Sequence, residues 1–237
     1  MQSVVEGSNS IDIDFTNDTI LQWRVQGSSG ASFNATISNL TVTAIGNDGH
    51  VKTWYDQSGN SKNATQTTAA NQPKIVSSGA LETDSSGNPA LVGDGTDDNL
   101  INSALTEQAL SSEDFLITAA YKDELAMGIT SAVPRLYLTS SSMSYNTNKT
   151  IEYSAQTGRK ILSFQVVGDT QEVFANGSSI GTASQAQTNI GQSLFGVMQG
   201  GSTISSGPLM EVLVYNSNQS AKRATIEANI NGHYSIF

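Results

Sequence analysis

The feature that most constrains the fold of this chain is a two-residue alternation of apolar and polar side chains, broken at short intervals by turn sequences. The run from Ser32 to Ile45 shows it, with a one-step slip at Ser38-Asn39 that predicts a bulge or turn. Further runs predict strands at Ile11–Phe15, Ile20–Val25, Val51–Tyr55, Phe115–Tyr121, Arg135–Leu138, Ile161–Val167 and Met210–Tyr215. Many short strands joined by tight turns indicate an all-β jelly-roll sandwich of two antiparallel sheets.

The clearest hairpin lies within Gln171–Gly181. Its centre is Asn176-Gly177, a dipeptide that accepts positive φ at both positions, as a type I′ turn requires. Alternating apolar residues flank this dipeptide, so the segment predicts two paired strands.

The last predicted element is a short C-terminal helix over Ala221–Asn231. Ile226 and Ile230 lie one turn apart, which predicts one buried face. The capping signals are Asn218 or Ser220 before the helix and Gly232 after it.

Composition narrows the classes of partner. The chain has 237 residues, no cysteine, and a formal net charge of −10 from 11 basic and 21 acidic residues. The absence of cysteine excludes disulfides and thiolate metal sites. The acidic balance argues against nucleic acid and against an anionic membrane surface, and neutral glycans fit it better. The same charge is also explained by solubility alone.

The acidic residues and histidines give little support for catalysis. Glycoside hydrolysis needs two carboxylates that face each other across a cleft. The nearest candidate, Glu82-Thr83-Asp84, runs into a turn and no second glutamate follows. His50 lies in a polar turn and His233 follows the helix, and no Gly-x-Ser-x-Gly segment surrounds any serine. We therefore expect no catalytic residue. A glycoside hydrolase is the alternative, because a fold can bring together two carboxylates that are distant in sequence.

Calcium is the one metal for which the sequence offers candidate ligands. The segment Asp94–Asn99 concentrates oxygen-bearing side chains, the ligand type that calcium takes from flexible loops. Asp94, Asp97 and Asp98 are the candidate ligands. An Asx-rich turn before a strand at Leu100-Ile101 explains the same residues without a metal. Both interpretations stay open, and no other cofactor is expected.

Aromatic residues are the candidate ligand-binding groups, because flat rings stack on sugars. Trp54 and Tyr55 are neighbours on a predicted strand, so their side chains point to opposite faces. One of them is then expected in the core and the other accessible. Tyr137 and Tyr145 are further candidates, and core packing is open as the alternative role for each ring.

A family resemblance supports this picture. The segment Asp48–Gln66, DGHVKTWYDQSGNSKNATQ, resembles a segment of laminin-G-like, concanavalin A-like lectin domains. The likeness continues through Asn71–Val76, Gly87–Leu91 and Asp94–Leu100. It looks most like the versions in bacteriophage virion proteins and bacterial secreted proteins, and a related segment occurs in arabinofuranosidases, from which no catalytic residue is carried over. In the family the aspartates at 56, 97 and 98 look structural, holding loops through side-chain to backbone bonds.

The resemblance implies a lectin-like sandwich over residues 46–237, with residues 1–45 as N-terminal strands or a virion-anchoring arm. It implies a non-catalytic virion structural protein: a head fibre, capsid decoration or tail fibre, assembled in the host cytoplasm and located on the virion surface. Its partners would be other virion proteins and host surface glycans, and a fibre favours a homo-oligomer, above all a trimer. The alternatives are a secreted carbohydrate-binding module, a glycosidase-related domain, or an adhesion domain of a bacterial surface protein.

Overall fold

The structure is a computed structural model, and it describes residues 47–106, 114–129, 136–145, 149–184, 194–200 and 203–237. All of these lie within one of the two units into which the chain divides, residues 44–237. The strands predicted at Ile11–Phe15 and Ile20–Val25, the run from Ser32 to Ile45 and the N-terminal arm lie outside the described residues. They stay predictions.

Short strands make up about half of the described chain. In order they are β1 Gly49–His50, β2 Thr53–Trp54, β3 Ala64–Thr65, β4 Lys74–Ser77, β5 Ala80–Leu81, β6 Leu100–Thr106, β7 Phe115–Lys122, β8 Ala126–Ile129, β9 Leu136–Thr139, β10 Ser142–Tyr145, β11 Lys149–Glu152, β12 Arg159–Val167, β13 Thr170–Ala175, β14 Ser178–Ser184, β15 Leu194–Val197, β16 Gln199–Gly200, β17 Thr203–Ile204 and β18 Leu209–Tyr215. The described helices are one 3-10 turn, Ala69–Asn71, and one α-helix, α1, Arg223–Tyr234.

Two antiparallel sheets form the sandwich. The larger has the strand order β11-β10-β9-β8-β15-β6-β3-β2, and the smaller has the order β14-β13-β12-β7-β18. In the smaller sheet β12, β13 and β14 follow one another along the chain, whereas β7 pairs with two strands that are distant in sequence, β12 and β18. The observed fold is therefore the all-β jelly-roll sandwich that the alternation and the resemblance predict.

The core lies between the sheets. One transverse row of the larger sheet pairs directly across six strands and is buried throughout: Leu100, Val197, Met127, Leu138, Met143 and Ile151. The smaller sheet contributes alternate residues, among them Phe115 and Phe164, whose rings meet edge to face at 5.4 Å. Each fully buried large apolar side chain contributes about 1.5–3 kcal/mol, so this row and its partners dominate the stability.

The helix α1 packs on the outer face of the smaller sheet. Ile230 is buried against Ala120 of β7 and Ile161 of β12, and Ile226 packs beside it, as their spacing predicts. Along the described chain no helix is long and apolar enough to cross a membrane.

The ends of α1 differ from the predicted ones. Gly232 does not stop the helix, which continues to Tyr234, and the C-cap is Ser235, whose backbone is in the left-handed region. The reason is that Ser235 can donate its N–H to the Asn231 carbonyl at 2.7 Å, closing the last turn. Asn218 caps the turn before the helix rather than the helix itself, because its Oδ1 accepts the N–H of Ser220 at 2.9 Å.

The type I′ hairpin is confirmed. Asn176 and Gly177 have φ values of 49° and 83°, and they join β13 to β14. Asn176 also accepts the backbone N–H of Ile161 through Oδ1 at 2.9 Å, which ties the turn to β12.

Candidate functional site

Trp54 and Tyr55 lie on opposite sides of the chain, as their adjacency predicts. Trp54 is half-buried against the core, so its ring is a packing group. Tyr55 is 66% exposed and follows β2, which is an edge strand of the larger sheet. Of these two candidates, Tyr55 is therefore the ring available to a ligand.

The loop after Tyr55 is held by the side chains at its two ends. Asp56 accepts the N–H groups of Ser58 and Lys62, at 2.8 and 2.9 Å. Asn63 accepts the N–H of Asp56 at 2.9 Å. Hydrogen bonds from Lys62 and Ser58 hold the pKa of Asp56 below its ordinary value. The structural role that the resemblance implies for Asp56 is thus observed, and the loop presents Tyr55 from a fixed base.

The three predicted metal-ligating aspartates come together. One carboxylate oxygen from each of Asp94, Asp97 and Asp98 lies within 4.8 Å of the others. Asp94 Oδ1 accepts the N–H of Thr96 at 2.7 Å and Asp98 Oδ2 accepts the N–H of Asp94 at 2.9 Å, so two of the carboxylates also build the turn. The geometry accommodates both interpretations of the segment.

The electrostatics of this turn differ between its members. Burial, followed by the charge of Asp94, raises the pKa of Asp98. The pKa of Asp94 is lowered, chiefly by the hydrogen bond that its carboxylate accepts from the Thr96 N–H. Asp97 is exposed, and none of the hydrogen bonds described for this part of the chain involves its carboxylate. Asp97 is thus the residue whose carboxylate is not needed for the turn.

Tyr137 lies on β9, between Gly128 of β8 and Ser144 of β10. It is half-buried, and its neighbours Leu136 and Leu138 alternate with it into the core. Gly128 has a φ of 140°, and a Cβ there would collide with the Leu136 carbonyl. The close approach of β8 and β9 beside Tyr137 therefore requires glycine. The side chain of Tyr145 lies outside the described residues, so its candidacy stays a prediction.

A cleft that the sequence patterns do not indicate opens at the sandwich edge where β11 meets β14. It has a volume of about 730 Å³ and is lined by Glu152, Tyr153, Ser154, Gln156 and Ile180. A Cβ on Gly181 of β14 would collide with Ile151 of β11, so glycine sets the spacing of the two sheets here. No sequence signal marks this cleft, because its walls come from an irregular segment and from a strand of the other sheet.

A second cleft of about 590 Å³ lies at the C-terminal end of α1. Its polar lining includes Glu211, His233 and Tyr234. Burial raises the pKa of Glu211, and the charge of His233 and a hydrogen bond with Tyr234 act in the opposite direction. Burial and Glu211 raise the pKa of Tyr234 to about 12.

Acidic side chains do not pair on the described strands of either sheet. The larger sheet carries Glu152 alone, at the end of edge strand β11. The smaller sheet carries Glu172 on β13 and Glu211 on β18, which are separated by β12 and β7. Neighbouring strands lie about 4.8 Å apart, so the distance between the strands that carry Glu172 and Glu211 exceeds the separation of the two carboxylates in glycosidases.

The histidines occupy structural positions. His50 Nδ1 lies 2.8 Å from the carbonyl oxygen of Gln72, and His233 meets the Tyr234 ring edge on, with ring centres 4.5 Å apart. Glu82-Thr83-Asp84 is confirmed as turn chemistry, since Asp84 accepts the N–H groups of Ser86 and Asn88 at 2.8 and 2.9 Å.

No protein-family model matches the chain, and no curated protein matches its sequence. Solved structures do match its fold. The sialidase of Trypanosoma rangeli in complex with sialic acid has a TM-score of 0.53 at 12% identity, over 78% of this chain and 32% of that one. The CBM40 domain of the Ruminococcus gnavus IT-sialidase, bound to alpha2,3 sialyllactose, has a TM-score of 0.38 at 18% identity, over 48% of this chain and 82% of that one. The chain spans 32% of the trypanosomal enzyme, and the likeness at 12% identity shows the shared fold alone.

Proposed function

We propose that this chain is a non-catalytic, glycan-binding β-sandwich domain. The observation that carries the proposal is Tyr55, 66% exposed beside a loop whose ends are held by Asp56 and Asn63. An aromatic ring on a preordered loop offers a stacking surface at a small ordering cost. The lectin-like sandwich supports this function as a fold-level analogy, and the site itself carries the argument.

The absence of catalysis is supported by the arrangement of carboxylates. On the described strands, Glu152, Glu172 and Glu211 lie on three strands that are not neighbours. The three aspartates that do cluster, at 94, 97 and 98, include two whose oxygens bind backbone N–H groups of their own turn. A glycoside hydrolase remains the alternative function.

The finer proposal places this domain on a bacteriophage virion, as a head fibre, capsid decoration or tail fibre that contacts other virion proteins and host surface glycans. It rests on the resemblance of Asp48–Gln66 and the segments after it to lectin-like domains of virion proteins. A secreted bacterial carbohydrate-binding module is the alternative. A virion fibre predicts a closed oligomer, with a trimer favoured.

The glycan proposal is tested on an array of neutral and charged glycans with the full chain. Replacing Tyr55 by alanine should weaken the glycan binding at least about tenfold, since truncating an aromatic anchor commonly removes more than 1 kcal/mol. Leu81→Ala is the matched control, because Leu81 is also exposed, at 51%, and lies on β5 outside the two main sheets. Equal binding by wild type and Tyr55→Ala would contradict the role of Tyr55.

The virion and enzyme alternatives need separate measurements. Light scattering of the full chain at high concentration should give a trimer or a larger closed oligomer, and a strict monomer would count against the virion proposal. Turnover of arabinose- or glucose-containing polymers, abolished by replacing one acidic residue, would establish the glycoside hydrolase instead.

A further inference from the structure

The cleft between β11 and β14 has a rigid floor. The Tyr153 hydroxyl donates to the backbone carbonyl of Thr139 at 2.7 Å, and the Tyr121 hydroxyl donates to the backbone carbonyl of Gln156 at 3.0 Å. The backbone N–H of Gln156 binds the Ser140 carbonyl at 2.8 Å. These bonds fix an irregular segment on both sides of Ser154, so a ligand meets a surface that is already ordered.

The side chains around this floor combine the groups that recognise sugar hydroxyls. Glu152 offers two acceptor oxygens, Ser154 a hydroxyl, and Gln156 an amide. The Gln156 amide is oriented by its own bond, Nε2 to the Ser154 carbonyl at 2.7 Å, which leaves its oxygen as an acceptor. Ile180, packed against the core, supplies an apolar surface for the C–H groups of a sugar ring.

The charge of the cleft selects among sugars. Among the residues that the structure describes, its lining contains one carboxylate and no basic side chain. Arginine is the side chain that binds a carboxylate through two parallel hydrogen bonds. Both arginines in the described part of the chain are already paired internally, Arg159 with Asp84 and Arg223 with Glu227. A sugar that carries its own carboxylate would meet Glu152 without a compensating cation.

We infer that the β11–β14 cleft is a subsite for neutral, hydroxyl-rich sugars that discriminates against sialylated ones. This inference rests on the proposed glycan-binding function and assigns it a second location. Tyr55 follows β2 and Glu152 ends β11, and these strands are the opposite edges of the larger sheet. The two locations can therefore be separated by substitution.

The test titrates the full chain with lactose, N-acetyllactosamine, maltotriose and cellotriose, and with the 3′-sialyl forms of the first two. At least one neutral sugar should bind, and a sialylated form should bind at least about tenfold more weakly than its neutral parent. Glu152→Gln and Gln156→Ala should each weaken the binding of the neutral sugar about tenfold, because the first removes a charged acceptor oxygen and the second removes the amide that binds a sugar hydroxyl. Glu172→Gln is the matched control, a carboxyl-to-amide change on the smaller sheet.

Direct evidence for contact comes from the Gln156 side-chain amide resonances, which should shift as the neutral sugar is added. Binding that Tyr55→Ala abolishes and Glu152→Gln leaves unchanged would overturn the cleft assignment and leave the proposed function standing. Tighter binding of the sialylated forms would also overturn it. If no glycan on the array and no sugar of this panel binds, the proposed function fails together with the subsite.

Discussion

Arg159 and Asp84 form an ion pair across 75 residues of sequence, with Arg159 Nε donating to Asp84 Oδ2 at 2.7 Å. The Asp84 side chain is fully buried and that of Arg159 is 13% exposed. The same guanidinium donates to the carbonyl oxygens of Ser235 and Tyr234. One side chain thus ties the turn after β5, the start of β12 and the end of α1 together.

Arg159→Ala should lower the free energy of unfolding by about 3 kcal/mol, because it leaves a buried carboxylate without its cation. In this variant Asp84 keeps its hydrogen bonds from the backbone and the side chain of Asn88. The expected loss of stability is therefore at the low end of the range for broken buried ion pairs. Urea denaturation at neutral pH measures it. Lys52→Ala, at an exposed position, is the control and should change the stability by less than about 0.5 kcal/mol.

The pH dependence of stability should reveal Asp84 as well. Burial alone raises the pKa of Asp84, but hydrogen bonds from Asn88, Ser86 and Arg159 outweigh it and hold the pKa below the ordinary 3.8. A carboxyl with a lowered pKa stabilises the fold fully above its unfolded value and loses that contribution as the pH falls through its folded value. The stability difference between wild type and Asp84→Asn should therefore narrow below about pH 4. A difference that stays constant from pH 7 down to pH 2 would contradict this.

The hairpin between β13 and β14 should depend on its two turn residues. Gly177→Ala places a side chain at a φ of 83° and should destabilise the protein by about 1 kcal/mol. Asn176→Ala should cost more than Gly177→Ala, since it also removes the acceptor of the Ile161 N–H. Thermal unfolding of both variants beside Ser178→Ala, an exposed position in the same hairpin, measures the ranking.

The calcium prediction is tested most cleanly at Asp97, whose carboxylate the turn does not use. If calcium binds the 94–98 turn, millimolar calcium should raise the melting temperature of the wild type, a chelator should reverse the rise, and Asp97→Asn should abolish it. Asp97→Asn should leave the stability in chelator unchanged. A wild-type melting temperature that is indifferent to calcium would leave the turn as the sole role of these residues.

The neighbouring rings at 54 and 55 should separate stability from binding. Trp54→Ala should destabilise the protein by about 2 kcal/mol or more, because its ring packs on the core. Tyr55→Ala should stay within about 0.5 kcal/mol of wild type, because the ring is exposed. Chemical denaturation of the two variants in parallel checks the contrast, and a large loss in Tyr55→Ala would show that its ring also packs.

Patterns over a few residues sufficed to predict those features of the fold whose physical cause lies within the same few residues. Strand-like runs of apolar residues predicted β7, β12 and β18, Asn176-Gly177 predicted the turn type, and the spacing of Ile226 and Ile230 predicted the buried face of α1. Each depends on backbone preferences or on which face a side chain takes. Adjacency also predicted that one of Trp54 and Tyr55 packs on the core and the other is exposed, although it did not predict which of the two would be exposed.

The tertiary structure decided whatever joins distant segments. Strand order is one case, since β7 lies between β12 and β18, and only long-range pairing determines which strands become edges. The Arg159–Asp84 ion pair is another case. The sequence predicted Asp94, Asp97 and Asp98 as candidate ligands, but only the structure brings their carboxylates together. The β11–β14 cleft is the extreme case: Glu152 and Ile180 belong to different sheets, and no spacing along the chain records that the two sheets meet there.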